Sequence, residues 1–338
     1  MSGPGWPLTR IVPRGSFQRL SSPATLGAAW AACRKGKRRT PEIARFDLDA
    51  DRHILRLSDD LRGGRWIPDP WRHHLVHDPK LRCISVPSVR DRLLHHALID
   101  TLAPAYERGF LDQSYACRTG RGPHRAVLRA LRWHREHAWH LHLDVRGYFP
   151  HIDHDVLLDL YARRLRDDDT LRLLAGLLAH GGAVWQSALA RRVASLPEDH
   201  PATVGLPVGT LLSHFSGALY LDALDHHVKR TLKVPGYLRY MDDLLLYHDD
   251  RGALQAAWEA IAAWLAAERH LTLKPSRAGI TSTRTATTAL GQRISRAGLA
   301  PGPKLRRRMR RRLREAIRKG PDALRRTLST YRGMILGR

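Results

Sequence analysis

Tyr240-Met241-Asp242-Asp243 separates two apolar runs, Tyr237-Leu238 and Leu244-Leu245-Leu246-Tyr247, and that arrangement leaves the chain few ways to fold. Strands bounding a tight turn would hold both acids at the end of a β-hairpin, among apolar neighbours. Two unneutralised carboxylates in such a place are costly unless paired, protonated or bound to a metal. A divalent cation answers both charges at once. The plain alternative is a solvated turn, because Asp-Asp also occurs at Asp59-Asp60, Asp167-Asp168-Asp169 and Asp249-Asp250 in polar surroundings.

A third carboxylate decides between them. His140-Leu141-His142-Leu143-Asp144-Val145 alternates as a half-buried strand with Asp144 at its end. Arg146-Gly147-Tyr148-Phe149-Pro150 then breaks the strand, and Asp153 or Asp155 caps a helix through Val156, Leu157, Leu160 and Tyr161. With the Asp144 strand beside the Asp242/Asp243 hairpin, three acids from separate segments converge. That is the layout of a two-metal phosphoryl-transfer site. Mg²⁺ suits such all-oxygen sites, with Mn²⁺ as a substitute.

Charge points the same way. Lys and Arg number 57 against 32 Asp and Glu, a formal net charge of +25, so the surface repels itself unless a polyanion covers it. Nucleic acid is the polyanion expected. A hydrophobic fraction of 43% excludes a disordered basic tail. Cys33, Cys83 and Cys117 lack metal-ligand spacing, which argues against a zinc site and for a reducing compartment. With no apolar stretch of bilayer length and no secretory signal, the expectation is a cytoplasmic protein with no membrane partner.

Along the chain, residues 1 to about 40 read as a Gly-, Pro- and Ser-rich segment ending in the basic run 34–39. One helix is expected over 46–61 through Leu48, Ile54, Leu55 and Leu57, and another over 89–108 with His95 and His96 on its surface. Between them Lys80 and Arg82 alternate on a hairpin-like stretch and share one strand face, where they can clamp a triphosphate or simply face solvent. Gly120-Arg121-Gly122-Pro123 is a loop. Gly205-Leu206-Pro207-Val208-Gly209 forms a tight turn opening a helix from Thr210 to about Lys229, and Gly209 permits close backbone approach. Leu254 to Ala267 has helical spacing, and Leu271 to Lys274 reads as a short strand. Leu305, Met309, Leu313 and Ile317 recur every four residues in a terminal helix otherwise crowded with arginine.

These motifs, in this order, resemble those of the reverse transcriptases. Asp144 to Phe149 is similar to the first palm motif, Gly205 to Gly209 with Ser213-His214 to the second, and Tyr240 to Asp243 to the signature hairpin. Lys80-Leu81-Arg82, Pro87, Asp91-Arg92, Ser114 to Arg118 and Leu290 to Ile294 extend the likeness over most of the chain. The Gly-Leu-Pro-Val-Gly form and Leu221-Asp222-Ala223-Leu224-Asp225 most resemble bacterial enzymes of diversity-generating retroelements, with phage-defence enzymes sharing much of the pattern.

The resemblance implies an α+β, right-hand polymerase: fingers, a palm with an antiparallel sheet, and a short helical thumb. Its segments are a basic extension over 1–60, fingers over 61–143, palm over 144–155, a helical insertion over 156–204, palm again over 205–297 and thumb over 298–338. It implies that Asp144, Asp242 and Asp243, with the Val145 carbonyl, hold two Mg²⁺ ions. Lys274, in preference to Arg277, serves the pyrophosphate leaving group, since Arg is a poor acid. Lys80, Arg82, Arg146, Val208 and Gly209 bind the nucleotide and Phe149 gates its sugar. Arg118, Arg121, Tyr240, Met241, Arg307, Arg308, Arg311 and Arg312 contact nucleic acid.

The reaction implied is RNA-templated DNA synthesis on a structured non-coding RNA, using dNTPs and yielding a cDNA/RNA hybrid. It is error-prone in a retroelement, since Val208 stands where other family members carry glutamine, and a small basic accessory protein assists. The alternatives are an antiphage enzyme that copies a non-coding RNA or adds nucleotides with little templating, and a non-catalytic RNA-binding scaffold whose acids cap turns.

Overall fold

The computed structural model describes residue 12 and residues 15–77, 80–275 and 279–336. The N-terminal segment is helical where a basic tail is expected: α1 (Ser16–Leu20) and α2 (Pro23–Arg34). The Ser22 hydroxyl accepts the Thr25 amide at 3.2 Å and Pro23 takes the first helical position, where its missing N–H has no partner to lose. Leu26, Ala29, Trp30 and Cys33, at helical spacing, are buried. The helix expected over 46–61 is two, α3 (Pro41–Asp47) and α4 (Ala50–Arg62), with Leu48 in the break and 88% exposed.

An antiparallel hairpin follows, β1 (Arg72–His77) against β2 (Leu81–Val86), then α5 (Val89–Tyr106) capped by Ser88. His95 lies on the inward face of α5, a correction to its expected surface position. Burial pushes its imidazole down to about 3, so it is a neutral core residue. Next come α6 (Pro123–Glu136), β3 (Trp139–Asp144) and α7 (His154–Ala162). Asp153 rather than Asp155 caps α7, accepting the amides of Asp155 and Val156 at 2.9 and 3.1 Å.

Two helices, α8 (Asp168–Gly182) and α9 (Ala188–Ala194), precede the Gly205–Gly209 turn. The helix beyond it, capped by Thr210, ends early: α10 (Leu211–Tyr220) gives way to α11 (Asp222–His226) and one π turn, His227–Thr231. The hairpin β4 (Gly236–Tyr240) and β5 (Asp243–His248), α12 (Arg251–Arg269) and β6 (Ile280–Ser282) follow. Leu271 to Lys274 is not a strand; Leu273 alone bridges to Val145. A meander that the sequence reading did not contain, β7 (Thr287–Ala289), β8 (Gln292–Ser295) and β9 (Gly298–Pro301), leads to α13 (Pro303–Arg318) and α14 (Pro321–Leu336). Leu290 and Gly291, with φ of 50° and 79°, make the β7–β8 turn of the kind that needs two positive φ values.

The chain divides into two compact units. Residues 1–110, 147–221 and 269–271 form the first; 111–146, 222–268 and 272–338 form the second. Residues 111–143, assigned to the fingers from sequence, thus group with the second unit. Its main sheet has the order β4-β5-β3-β6, all neighbours antiparallel. Ala126, Val127, Ala130 and Trp133 of α6 cover one face, packing on Leu238, Leu245 and Tyr247. No single helix among the described residues is long and apolar enough to cross a membrane.

On α13 the four-residue stripe holds only at first. Leu305 is buried and Met309 and Leu313 are half-buried, but Ile317 is 62% exposed and Ala316 is buried in its place. Four residues advance an α-helix by about 400°, so the stripe drifts about 40° per step and about 120° by Ile317. Ala316, eleven residues from Leu305, returns to within about 20° of the starting face.

Candidate active site

The three acids meet at one end of the main sheet. Asp144 and Asp243 are register partners on β3 and β5, so their side chains leave the same face, and Asp242 is in the turn beside them. Tyr240 pairs with Asp243, leaving Met241 and Asp242 as a two-residue loop. Met241 has φ +55°, at the position where such hairpins usually place glycine, and its side chain is buried.

A buried ion pair lies under this turn. Arg239 and Asp225 are both fully enclosed. Arg239 Nε and Nη2 donate to Asp225 Oδ1 and Oδ2 at 2.8 and 2.7 Å, and Tyr237 Oη donates to Oδ1 at 2.7 Å. The same guanidinium donates to the Met241 carbonyl at 3.3 Å and to Ser114 Oγ at 3.2 Å. The planar fork therefore ties the unusual loop backbone to the core. Sequence reading missed Asp225 and Arg239 as a pair; an arginine two residues before Met241 on an apolar strand was the available signal.

Electrostatics mark the acids as an uncompensated cluster. Burial, then the charges of Asp243 and Asp144, push the Asp242 carboxyl up to about 6. The other two carboxylates have side-chain partners. Lys274 Nζ pairs with Asp144 Oδ1, and His142 Nε2 lies 2.9 Å from Asp243 Oδ1. Among the described residues no three His, Cys, Asp or Glu side chains already converge as a metal cage. The donor set nonetheless fits Mg²⁺: it is all oxygen, on adjacent strand ends, with one member whose proton affinity is raised by burial and then by its neighbours. His142 was missed in the sequence, although it is two residues before Asp144 and so on the same strand face.

The other predicted residues divide between the two units. In the second unit Val145 sends its amide to the Asp242 carbonyl at 3.2 Å and Arg146 is exposed. Lys274 is at the acids as expected, but it faces Asp144; Arg277 lies outside the described residues. Arg118 and Arg121, expected on nucleic acid, bond within their own loop. Arg118 donates to the carbonyls of Leu111 and Ser114 at 2.7 and 3.0 Å, and Arg121 pairs with Asp112. Tyr240 is half-buried, and on α13 Arg307, Arg311 and Arg312 are exposed while Arg308 is half-buried.

In the first unit Lys80 and Arg82 are exposed at the start of β2. The Gly205–Gly209 turn runs along that strand: Val208 bridges Ile84, and its carbonyl accepts the Ser85 amide at 2.8 Å. Gly209 has φ +110°, and a Cβ there would meet Ile84 Cγ2 at 2.8 Å, so both backbone and space require glycine. Val208, expected to bind the nucleotide, is half-buried and packs on Cys83, Val184, Trp185 and Ala190. The Phe149 carbonyl accepts the Leu206 amide at 2.7 Å, which joins the two motifs directly.

Comparison with known proteins agrees with the hairpin of acids. Residues 76–294 match the family described as reverse transcriptase (RNA-dependent DNA polymerase). The chain belongs to the reverse transcriptase family. It is 27% identical over 183 residues to the group II intron-encoded protein LtrA of Lactococcus lactis subsp. cremoris, covering 53% of this chain and 28% of that protein. It is 25% identical over 180 residues to protein YkfC of Escherichia coli strain K12, covering 51% and 44%. The mitochondrial nuclear intron maturase 1 of Arabidopsis thaliana is 31% identical over 93 residues, 27% of this chain and 13% of that one. The chain thus spans less than half the length of these curated relatives.

Proposed function

We propose that this reverse transcriptase is an RNA-directed DNA polymerase of right-hand architecture, working by two-metal nucleotidyl transfer. The observation that carries the reading is Asp144 in register with Asp243, Asp242 beside them and raised to about 6. Asp144, Asp242 and Asp243 would hold Mg²⁺, which when bound supplies the positive charge that favours attack by a primer 3′-hydroxyl. The Val145 carbonyl is the further oxygen of the set.

When no metal does so, Lys274 balances Asp144, and His142 shares a hydrogen bond with Asp243. Lys274, released from Asp144, carries a proton toward the pyrophosphate leaving group. Arg239 keeps the Met241–Asp242 backbone in its unusual conformation, so that Asp242 and Asp243 stay aligned with Asp144. In the first unit Lys80 and Arg82 bind the triphosphate, Gly209 allows close backbone approach, and Phe149 discriminates against a 2′-hydroxyl. The exposed arginines of α13 bind the backbone of the template–primer duplex by charge and shape.

The template is a structured non-coding RNA, in keeping with relatives named for group II introns, and the setting is an error-prone retroelement in the cytoplasm. Val208 supports the latter, since its side chain is engaged with an apolar cluster and offers no hydrogen bond for checking a base pair. Primer extension on an RNA template by the wild type and by Asp242→Asn/Asp243→Asn tests the assignment. Loss of synthesis in the double variant supports it; undiminished synthesis would favour an RNA-binding scaffold. Sequencing of copurified RNA, and of the cDNA made from it, separates a retroelement template from a defence RNA.

A further inference from the structure

The ring of Phe149 is not held by its own segment alone. Within the first unit it meets α10 at two positions three residues apart, His214 and Gly217, which lie on one helix face. The His214 ring stands edge-on to Phe149, with centroids 5.9 Å apart and planes at 65°. Gly217 gives clearance to Tyr148, the ring packed on Phe149: a Cβ there would be tight at 3.3 Å from Tyr148 Cε1, and in ordinary contact at 3.5 Å from Phe149 Cε1. Tyr148 packs beside it, its ring 5.5 Å from that of Phe149 and its hydroxyl donating to the Gly217 carbonyl. Burial lowers the His214 pKa, so the imidazole is neutral near pH 7 and acts as a flat ring rather than a charge. Edge-to-face contacts of this type fix both separation and tilt.

We propose that His214 is a positioning residue for sugar discrimination: it sets the tilt of Phe149, with Gly217 providing the clearance, so that selection against ribonucleotides depends on α10 as well as on the gate ring. The inference rests on the reading of Phe149 as the sugar gate. Removing the His214 ring leaves Phe149 free to rotate away, which admits a 2′-hydroxyl without removing the gate.

The test is single-nucleotide incorporation on an RNA template, comparing kcat/KM for one rNTP and its dNTP in Phe149→Ala, His214→Ala and His214→Phe. Phe149→Ala is expected to raise the rNTP-to-dNTP ratio by about 100-fold, and His214→Ala by about 10-fold through a lower KM for the rNTP, within the range one contact of this size commands. His214→Phe, which keeps an edge-on ring, is expected to hold the ratio within about 3-fold of wild type. If Phe149→Ala raises the ratio and His214→Ala does not, or if His214→Ala lowers both efficiencies in proportion, the role given to His214 is overturned. If Phe149→Ala itself leaves the ratio unchanged, the gate reading fails and takes this inference with it.

Discussion

Asp225→Ala isolates the support beneath the catalytic hairpin. It deletes both oxygens that receive the Arg239 fork and the acceptor of the Tyr237 hydroxyl, leaving a fully enclosed guanidinium without its carboxylate. Breaking one partner of a buried pair costs about 3–5 kcal/mol. An orphaned buried hydroxyl adds about 1 kcal/mol or more, though the two costs overlap. A loss of about 4 kcal/mol corresponds to a fall in Tm of about 8–16 °C for a unit of this size. The assay is thermal unfolding followed by far-ultraviolet circular dichroism, run beside primer extension at a temperature where the variant is still folded. Synthesis should fall there too, because the freed guanidinium no longer fixes the Met241 carbonyl. The apolar replacement Asp225→Leu/Arg239→Met should recover most of the Tm without recovering synthesis, since buried pairs can be exchanged for well-packed apolar groups at little cost. A Tm for Asp225→Ala within about 2 °C of wild type would refute the reasoning.

Asp242 gives a pH-dependent counterpart. Its folded-state pKa of about 6 stands above its ordinary value of 3.8, so the folded chain binds this proton more tightly than the unfolded one, and the associated stability is present below pH 3.8 and lost as pH rises through about 6. Asp242→Asn should therefore stabilise the metal-free protein by about 1–3 kcal/mol at pH 7.5 and by much less at pH 4, and equal Tm shifts at both pH values would contradict this. Val208→Gln should reduce misincorporation several-fold, and identical cDNA error spectra would remove Val208 from the account. Changing Arg307, Arg311 and Arg312 to Ala should weaken hybrid binding equally for all sequences and flatten the log affinity against log salt slope by about 0.7–0.9 per lost phosphate contact; an unchanged slope would place α13 away from the duplex.

Which parts of the site were legible depended on whether their cause was local. A period-two pattern around Asp144 and the two apolar runs flanking Met241-Asp242 specify strands and a turn by themselves, and the structure has them with Asp144 opposite Asp243. Asp153 announced its helix for the same reason, because a cap acts within one turn. What required tertiary context was hidden. His142 becomes a partner of Asp243 only once β3 and β5 are paired, and Arg239 is a surface-loving residue until Asp225 arrives from another element. Val208 looked available because the Cys83–Trp185 cluster it joins is far away in sequence. The meander β7–β9 was missed because strands of three or four residues are too short to show a period.

The central claim is that Asp144, Asp242 and Asp243 hold the metal ions of nucleotidyl transfer, and anomalous diffraction from Mn²⁺ bound to the protein with primer–template and dNTP tests it most directly. The account predicts two anomalous peaks about 4 Å apart, touching the carboxylates of Asp144 and of the Asp242/Asp243 pair, with Lys274 Nζ moved off Asp144. Synthesis-competent crystals with no manganese at those carboxylates would contradict it.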